Sequence, residues 1–352
     1  MKDKELNSFN NYYSKTKEKI VKGINDYNNS LIDEKDNRII KELLKEFIDL
    51  NKDGKYIRGT LIALAYNNYL DDDKYLPLSI SYETFETAVL VHDDITDKGE
   101  TRRGKKTIHE RIKDKYNKID SYDFSNSQAM WIGNLAYFMI NKNLIEKYKE
   151  NKYLYKVLDK YNEIVIETIK GEIIDIDLPF ESKNLNYITK EEDVFDIYRM
   201  KTAKYTVLGP FELGLSLLGK DISLNLKEAL ENIGICFQIK DDILGVFGDS
   251  TVMGKPNVSD IEEFKQTILY TYTLNTKYKD DLLKYYGRKI TEEELEIIRQ
   301  IFIDSKALEY AENKMKELIN IGIENINKDT ELTEETKEIL KGLITYIVTR
   351  NK

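Results

Sequence analysis

A chain of 352 residues, 41% hydrophobic and 33% charged, has the apolar mass for a sizeable core beneath a well-solvated surface. Its net charge of −9 argues against a nucleic-acid partner. Its one cysteine excludes a disulfide framework and a cysteine-based zinc site, and its two histidines exclude a centre built from three. No apolar run approaches the length of a membrane span, and the polar opening MKDKELNSFNNYY does not read as a signal peptide, so a cytoplasmic protein without an integral membrane segment is expected.

Four prolines and seventeen glycines leave long stretches unpunctuated, which predicts long helices. Residues 1–34 are polar, with Ile20, Val21, Ile24 and Tyr27 at helical spacing, and read as an N-terminal helical extension. Residues 38–50 make an amphipathic helix through Ile39, Ile40, Leu43, Leu44 and Phe47, broken at Asn51-Lys52-Asp53-Gly54. Apolar helices are predicted over 60–70 and 78–97, separated by an acidic turn at 71–73. Residues 128–148 read as a buried helix and 154–177 as another, followed by a connector over 178–189 around Pro179. Thr189 and Glu192 have the spacing of a capping box, opening a helix that runs into Lys201-Thr202-Ala203. Apolar helices over 205–218 and 226–247 precede a loop over 248–256, and helices resume near Ser259. Thr291 and Glu294 form a second capping box, a break is expected near Ser305, and Thr333 caps the last helix. With no alternating strand pattern, repeat or composition shift, the chain reads as one all-α domain over 1–352.

The stretch LVHDDITDKGETRRGKKTIH, residues 90–109, is the most informative. Asp93 and Asp97 are four apart and stand on one helix face, where like charges repel unless a cation offsets them. Oxygen-only ligands suit Mg2+, which keeps waters and bridges to substrate phosphates. Arg102 and Arg103 add planar forks for phosphate oxygens. FQIKDDILGVFGD, residues 237–249, repeats the design with Asp241 and Asp242 at the end of an apolar helix, and Lys255 comes after it. Two such ends facing each other would clasp a metal–diphosphate, with Lys201 and Lys255 as point charges and Thr202 and Gln238 as neutral donors. Either cluster alone would be an ordinary solvated helix end; together they point to a site. His92 and His109 read as structural residues, since Mg2+ prefers oxygen, and Cys236 as a small buried hydrophobe.

Five ordered motifs over roughly residues 35–350 resemble the trans-isoprenyl diphosphate synthase (polyprenyl synthetase) family, which includes farnesyl and geranylgeranyl diphosphate synthases. Gly54-Lys55-Tyr56-Ile57-Arg58 resembles GKRLRP, and His92 to Arg103 resembles the first aspartate-rich motif with its arginine pair. Gly171-Glu172-Ile173-Ile174-Asp175 resembles GQxxD, and Lys201-Thr202-Ala203 matches KTA. Gln238 to Asp249 resembles the second aspartate-rich motif, with Lys255 and Lys265 after it.

The resemblance implies an all-α isoprenoid-synthase bundle of roughly ten or more helices around a central cavity. It also implies a homodimer of such bundles and two substrates, isopentenyl diphosphate and an allylic diphosphate, joined head to tail with Mg2+. By that resemblance Asp93, Asp97 and Asp241, with Asp94 and Asp242, would hold metal. Arg102, Lys201 and Lys255 would contact the leaving diphosphate, with Thr202 and Gln238 nearby, and Lys55, Arg58 and Arg103 would anchor isopentenyl diphosphate. Departures stand out at six positions. Glu86 takes the place of a histidine that contacts isopentenyl diphosphate in many relatives, where a carboxylate is repulsive unless protonated or paired. Tyr56 and Gly59 replace Arg and Pro, Tyr56 being the change of least concern. Gly245 replaces the fifth-position Asp of the second motif, for which Asp249 is a substitute. Glu172 and Asn134 replace Gln and Asp without removing a metal ligand. A growing prenyl tail would run down the helix below Asp93, past Ala88 and Val89, and be floored by Phe85 or Tyr82, which gives a product near geranylgeranyl length. The competing functions are a terpene cyclase on the same fold and a non-catalytic regulatory subunit of a heteromeric synthase.

Overall fold

The computed structural model describes residues 2–116, 122–184, 187–248 and 258–350. In chain order it contains α1 (Lys2–Ser30), α2 (Arg38–Asn51), α3 (Ile57–Asn67), α4 (Leu76–Thr96), a minimal hairpin β1 (Thr101–Arg102) and β2 (Lys105–Lys106), α5 (Ile108–Lys115), α6 (Tyr122–Tyr148) and α7 (Leu154–Asn184). Then come α8 (Glu191–Ile197), a π-helical segment (Tyr198–Leu208), α9 (Gly209–Ser216) and α10 (Leu224–Phe247). Helices Ser259–Glu262, Ile268–Leu274, Lys279–Leu283, Glu292–Asp304, Ala307–Lys328 and Glu334–Thr349 complete the chain, so the all-α expectation holds. Among the described residues no helix is long and apolar enough to cross a membrane.

Contacts divide the chain into two compact units. The N-terminal unit comprises Asn10–Tyr161 and Pro210–Asp221. Its centre is α4, which packs against α2, α3 and α6 and is buried along most of its length from Leu78 to Val91. An apolar helix of this kind shows little amphipathy because every face meets protein. Leu44, Phe47, Ala88, Val91, Ile132 and Ala136 form one core cluster there. The C-terminal unit comprises Met1–Phe9, Asn162–Gly209 and Ile222–Lys352. Its centre is α10, packed against the π-helical segment and the helix Ala307–Lys328, with Ile239, Phe302 and Tyr270 fully buried.

Several boundaries differ from the sequence-based expectation. Helix α7 does not stop at 177 but runs through Pro179 to Asn184. Proline deletes one helical hydrogen bond, and burial of Leu178 beside it keeps the helix going. The predicted cap at Thr189 is displaced by one residue: the Asp193 carboxylate accepts from the Lys190 N–H at 2.8 Å, while Thr189 turns inward and donates to Gln266 at 2.6 Å. The box at Thr291 forms as predicted, with reciprocal bonds of 3.3 and 2.9 Å to Glu294. The helix break falls at Ser305, where Lys306 is left-handed, and Thr333 caps the last helix at 3.2 Å. Residues 128–148, read as buried, are only half so. Phe124, Trp131, Phe138 and Ile145 recur every seven residues on an open face, Trp131 at 66% and Phe138 at 74% exposure. Apolar periodicity marks a face to be covered without saying by what.

Candidate active site

The first acidic cluster is built by the way α4 ends. Lys98 takes a left-handed conformation, the Gly99 N–H donates to Asp94 O at 2.8 Å and the Lys98 N–H donates to Ile95 O at 3.3 Å, a Schellman stop. The hairpin then turns at Arg103 and Gly104, both with positive φ, the conformation of a two-residue type I′ turn. The reversal brings Arg102 back over the helix end. Its Nη2 lies 2.8 Å from Asp93 Oδ2 and its Nε 2.7 Å from Asp94 Oδ1. Burial would lower the guanidinium's pKa, but Asp93 and Asp94 outweigh that and raise it. Asp94 is only 2% exposed, and burial pushes its carboxyl up to about 6 against the pull of Arg102. Asp93 and Asp97 keep part of their surface in solvent.

A second basic group lies in the same unit. Tyr56 is left-handed at φ 60°, and its hydroxyl donates to Lys52 O at 2.5 Å, folding its ring over Gly54. The departure of least concern therefore shapes the loop that carries Lys55 and Arg58. Glu86 is neither isolated nor repulsive: its Oε1 is 2.9 Å from Arg58 Nη1 and 3.5 Å from Arg103 Nη2. Arg103 also donates to Leu50 O at 3.1 Å. The two consecutive arginines thus serve different carboxylates. Below this level Phe85 is fully buried in a ring cluster with Tyr82, Tyr137 and Tyr161, at centroid distances of 5.3, 5.8 and 5.6 Å. Such pairs add about 0.5–1.5 kcal/mol each, so the cluster is stiff. Ala88 and Val89 lie one turn nearer the aspartates and are buried. His92 stacks on Tyr137 and His109 is buried, and burial lowers the pKa of both.

In the C-terminal unit, Gly171 lets α7 approach the π-helical segment so closely that a Cβ there would stand 2.5 Å from the Lys201 backbone nitrogen. Lys201 Nζ then lies 2.7 Å from both Glu172 Oε2 and Asp175 Oδ2, and Lys265 Nζ 3.0 Å from Asp175. Burial alone would raise the Asp175 carboxyl, but the two lysines hold it well below the usual range. Thr202 donates to Gln238 at 2.5 Å, and Gln238 donates to Asp242 at 2.9 Å. Tyr198 also donates to Asp242, which is 4% exposed and pushed up by burial to about 8. Asp241 is paired instead with Arg350, 2.6 Å away, whose guanidinium lies 3.7 Å from the Phe237 ring centroid. Lys255 and Asp249 lie outside the described residues. At Gly245, however, a Cβ would meet Asp260 Oδ2 at 2.6 Å, so another carboxylate fills the place of the absent fifth-position side chain.

Sequence motifs do not single out Glu83, Asp260 or Arg350. Glu83 reads as one polar residue in an apolar helix, though its spacing of three from Glu86 is a usable signal. Nothing local marks Arg350. Cys236 is the small buried hydrophobe expected, its thiol pushed by burial up to about 12.

The donor set fits Mg2+: partly exposed carboxylates one turn apart on α4, and a buried Asp94 Oδ2 with no hydrogen-bond partner among the described residues. Among the described residues no three acidic, His or Cys side chains converge into a closed cage. Mg2+ is usually held by one or two carboxylates together with substrate phosphates.

The polyprenyl synthetase family model matches residues 37–302. The chain is 32% identical over 266 residues to a short chain isoprenyl diphosphate synthase of Methanocaldococcus jannaschii, covering 73% of this chain and 74% of that protein. It is 29% identical over 284 residues to a geranylfarnesyl diphosphate synthase of Aeropyrum pernix, covering 79% and 83%. A geranylgeranyl pyrophosphate synthase of Corynebacterium glutamicum, solved with isoprenyl diphosphate and magnesium, matches in fold with a TM-score of 0.84 at 23% identity, over 97% of this chain and 99% of that one. With these matches and the ordered acidic and basic groups just described, the chain belongs to the polyprenyl synthetase family and is a short-chain trans-prenyl diphosphate synthase.

Proposed function

We propose that this protein uses Mg2+ to join isopentenyl diphosphate head to tail to an allylic diphosphate, releasing diphosphate and a linear all-trans product near geranylgeranyl length. The observation that carries the reading is the presence of two distinct basic groups in the N-terminal unit. Arg102 is committed to Asp93 and Asp94, while Arg58 and Arg103, with Lys55 close by, gather around Glu86. One group suits a metal-bound leaving group and the other a second diphosphate.

Asp93 and Asp97 on α4 and Asp241 on α10 are the proposed metal ligands. Asp94 and Asp242, buried and hydrogen-bonded, stand beside them as further candidate ligands. Bound Mg2+ would offset the charge that develops on the departing diphosphate. Arg102 and Lys201 orient that diphosphate as the allylic C–O bond breaks and its electron pair leaves with the oxygen. Lys55, Arg58 and Arg103 hold isopentenyl diphosphate with its double bond towards the allylic carbon. The new carbon–carbon bond forms, and the proton then lost from the isopentenyl unit passes to the released diphosphate. The aromatic floor under Ala88 stops the tail. For assembly, the open stripe of Phe124, Trp131, Phe138 and Ile145 supports a homodimer interface.

A terpene cyclase would ionise a single diphosphate and has no use for the second basic group. A regulatory subunit would be silent without a partner. Purified protein incubated with Mg2+, isopentenyl diphosphate and each allylic primer separates these outcomes. Elongated linear diphosphates support the reading, whereas a cyclised hydrocarbon or no turnover refutes it.

A further inference from the structure

Two departures from the family pattern meet at one point beside the second basic group. Where GKRLRP ends in proline, this chain has Gly59, and Gly59 donates the N–H that proline lacks to Glu83 Oε1 at 2.5 Å. Where many relatives have histidine, this chain has Glu86, one helical turn beyond Glu83 and paired with Arg58 and Arg103. The two carboxyls are 2% and 9% exposed. Neighbouring buried carboxyls do not both ionise. Burial and the charge of Glu86 raise Glu83 well above the carboxylate range. Burial would raise Glu86 too, but Arg58, the hydrogen bond from Glu83, Arg103 and Lys55 reverse that and lower it. One proton therefore sits on Glu83 and is shared with an ionised Glu86. Glu83 Oε1 accepts from the Gly59 amide, and the buried Glu83 Oε2 has no hydrogen-bond partner among the described residues. Two phenols lie close by, Tyr82, which is fully buried, and Tyr56, and burial raises the pKa of both.

We propose that Glu86 is a built-in stand-in for the second diphosphate, holding Arg58 and Arg103 in the free protein, and that surrendering them to isopentenyl diphosphate is coupled to the uptake of one proton. This rests on the reading of the basic group given above. A diphosphate entering there competes for the same guanidinium edges and places negative charge beside a buried carboxylate. Protonation of Glu86 removes that repulsion. Glu83 already holds its own proton, so the additional one comes from solvent. Binding that takes up a proton strengthens as pH falls, by up to about tenfold per pH unit for one fully coupled proton. Where a neutral side chain replaces Glu86, that dependence disappears.

The test is calorimetric titration of isopentenyl diphosphate into the wild-type protein, E86Q and E83Q. Each titration is run in two buffers of different ionisation enthalpy, alongside KM for both substrates across pH. Wild type and E83Q should take up more protons than E86Q, by up to about one per site. The KM for isopentenyl diphosphate should climb with pH in wild type and stay flatter in E86Q, with the allylic KM alike in both. Should E86Q fail to fold, Glu86→Met reads the same difference. Equal proton uptake and equal KM slopes in wild type and E86Q, both turning over, would overturn the inference and leave the functional reading intact. Loss of uptake in E83Q with retention in E86Q would also overturn it, by moving the coupled proton to the wrong carboxyl. If no protein binds isopentenyl diphosphate, the functional reading falls and the inference falls with it.

Discussion

The two acidic helix ends carry nearly the same residues and are held in opposite ways. At the end of α4 the whole arrangement is local: Arg102 reaches Asp93 and Asp94 across eight or nine residues, through one helix stop and one two-residue turn. At the end of α10 Gln238, one turn back on the same helix, shares Asp242 with Tyr198, 44 residues away, and Arg350, 109 residues along the chain, holds Asp241. The inner carboxylates register the difference. Asp94, paired with a cation, is pushed by burial only to about 6, while Asp242, held by neutral donors, is pushed to about 8. A buried carboxyl keeps or loses its charge according to its partner, not according to its motif. The first end rests as an ion pair and the second as a near-neutral acid beside an outer aspartate that has its own arginine.

That contrast can be broken by substitution. The largest effect is expected at the outer aspartates: D93N, D97N and D241N should each lower kcat by about 10²–10³-fold if both ends carry ligands. A D241N enzyme with normal turnover would assign all the metal chemistry to α4. Next is R102A, which strands a buried Asp94 and should cost about 3 kcal/mol of stability in denaturant unfolding. A variant as stable as wild type would show that the local brace is ornamental. The aromatic floor belongs to the α4 side alone, so F85A should shift products longer and A88F shorter, read by chromatography of the dephosphorylated alcohols. Unchanged distributions in both variants would remove Phe85 as the ruler. The smallest effect is expected for R350A. Freed of its arginine, Asp241 should reach half-saturation at about two- to five-fold less Mg2+, the scale of a partly exposed ion pair. A higher Mg2+ requirement would mean that Arg350 helps binding and does not compete with it.

Legibility in the sequence divides along the same line between local and distant partners. Long helices, the capping box at Thr291 and the break at Ser305 are readable because each is set by residues a few positions apart. The first acidic cluster is readable for the same reason, as carboxylates and arginines gathered within a dozen residues. The hairpin at 101–106 is not, because two residues per strand carry no periodicity and the turn uses Arg103 in place of a typical turn residue. The cap moves from Thr189 to Lys190 because a distant Gln266 competes for the threonine hydroxyl. Glu83, Asp260 and Arg350 escape notice because their importance depends on what the fold brings beside them: the Gly59 amide, the gap at Gly245 and the Asp241 carboxylate.

The wide turns of Tyr198–Leu208 make chain length itself a constraint on chemistry. In an ordinary α-helix each residue advances the face by about 100°, whereas a π turn absorbs a surplus residue without moving the flanks. Lys201 and Thr202 sit inside that surplus, so their aim is set by counting and not only by identity. Deleting a single residue there would let the segment relax into a regular helix and rotate both side chains off Asp175 and Gln238, even with every motif residue still present. The segment acts as a phase adjuster, and a one-residue gap in it is a more damaging change than many substitutions around it.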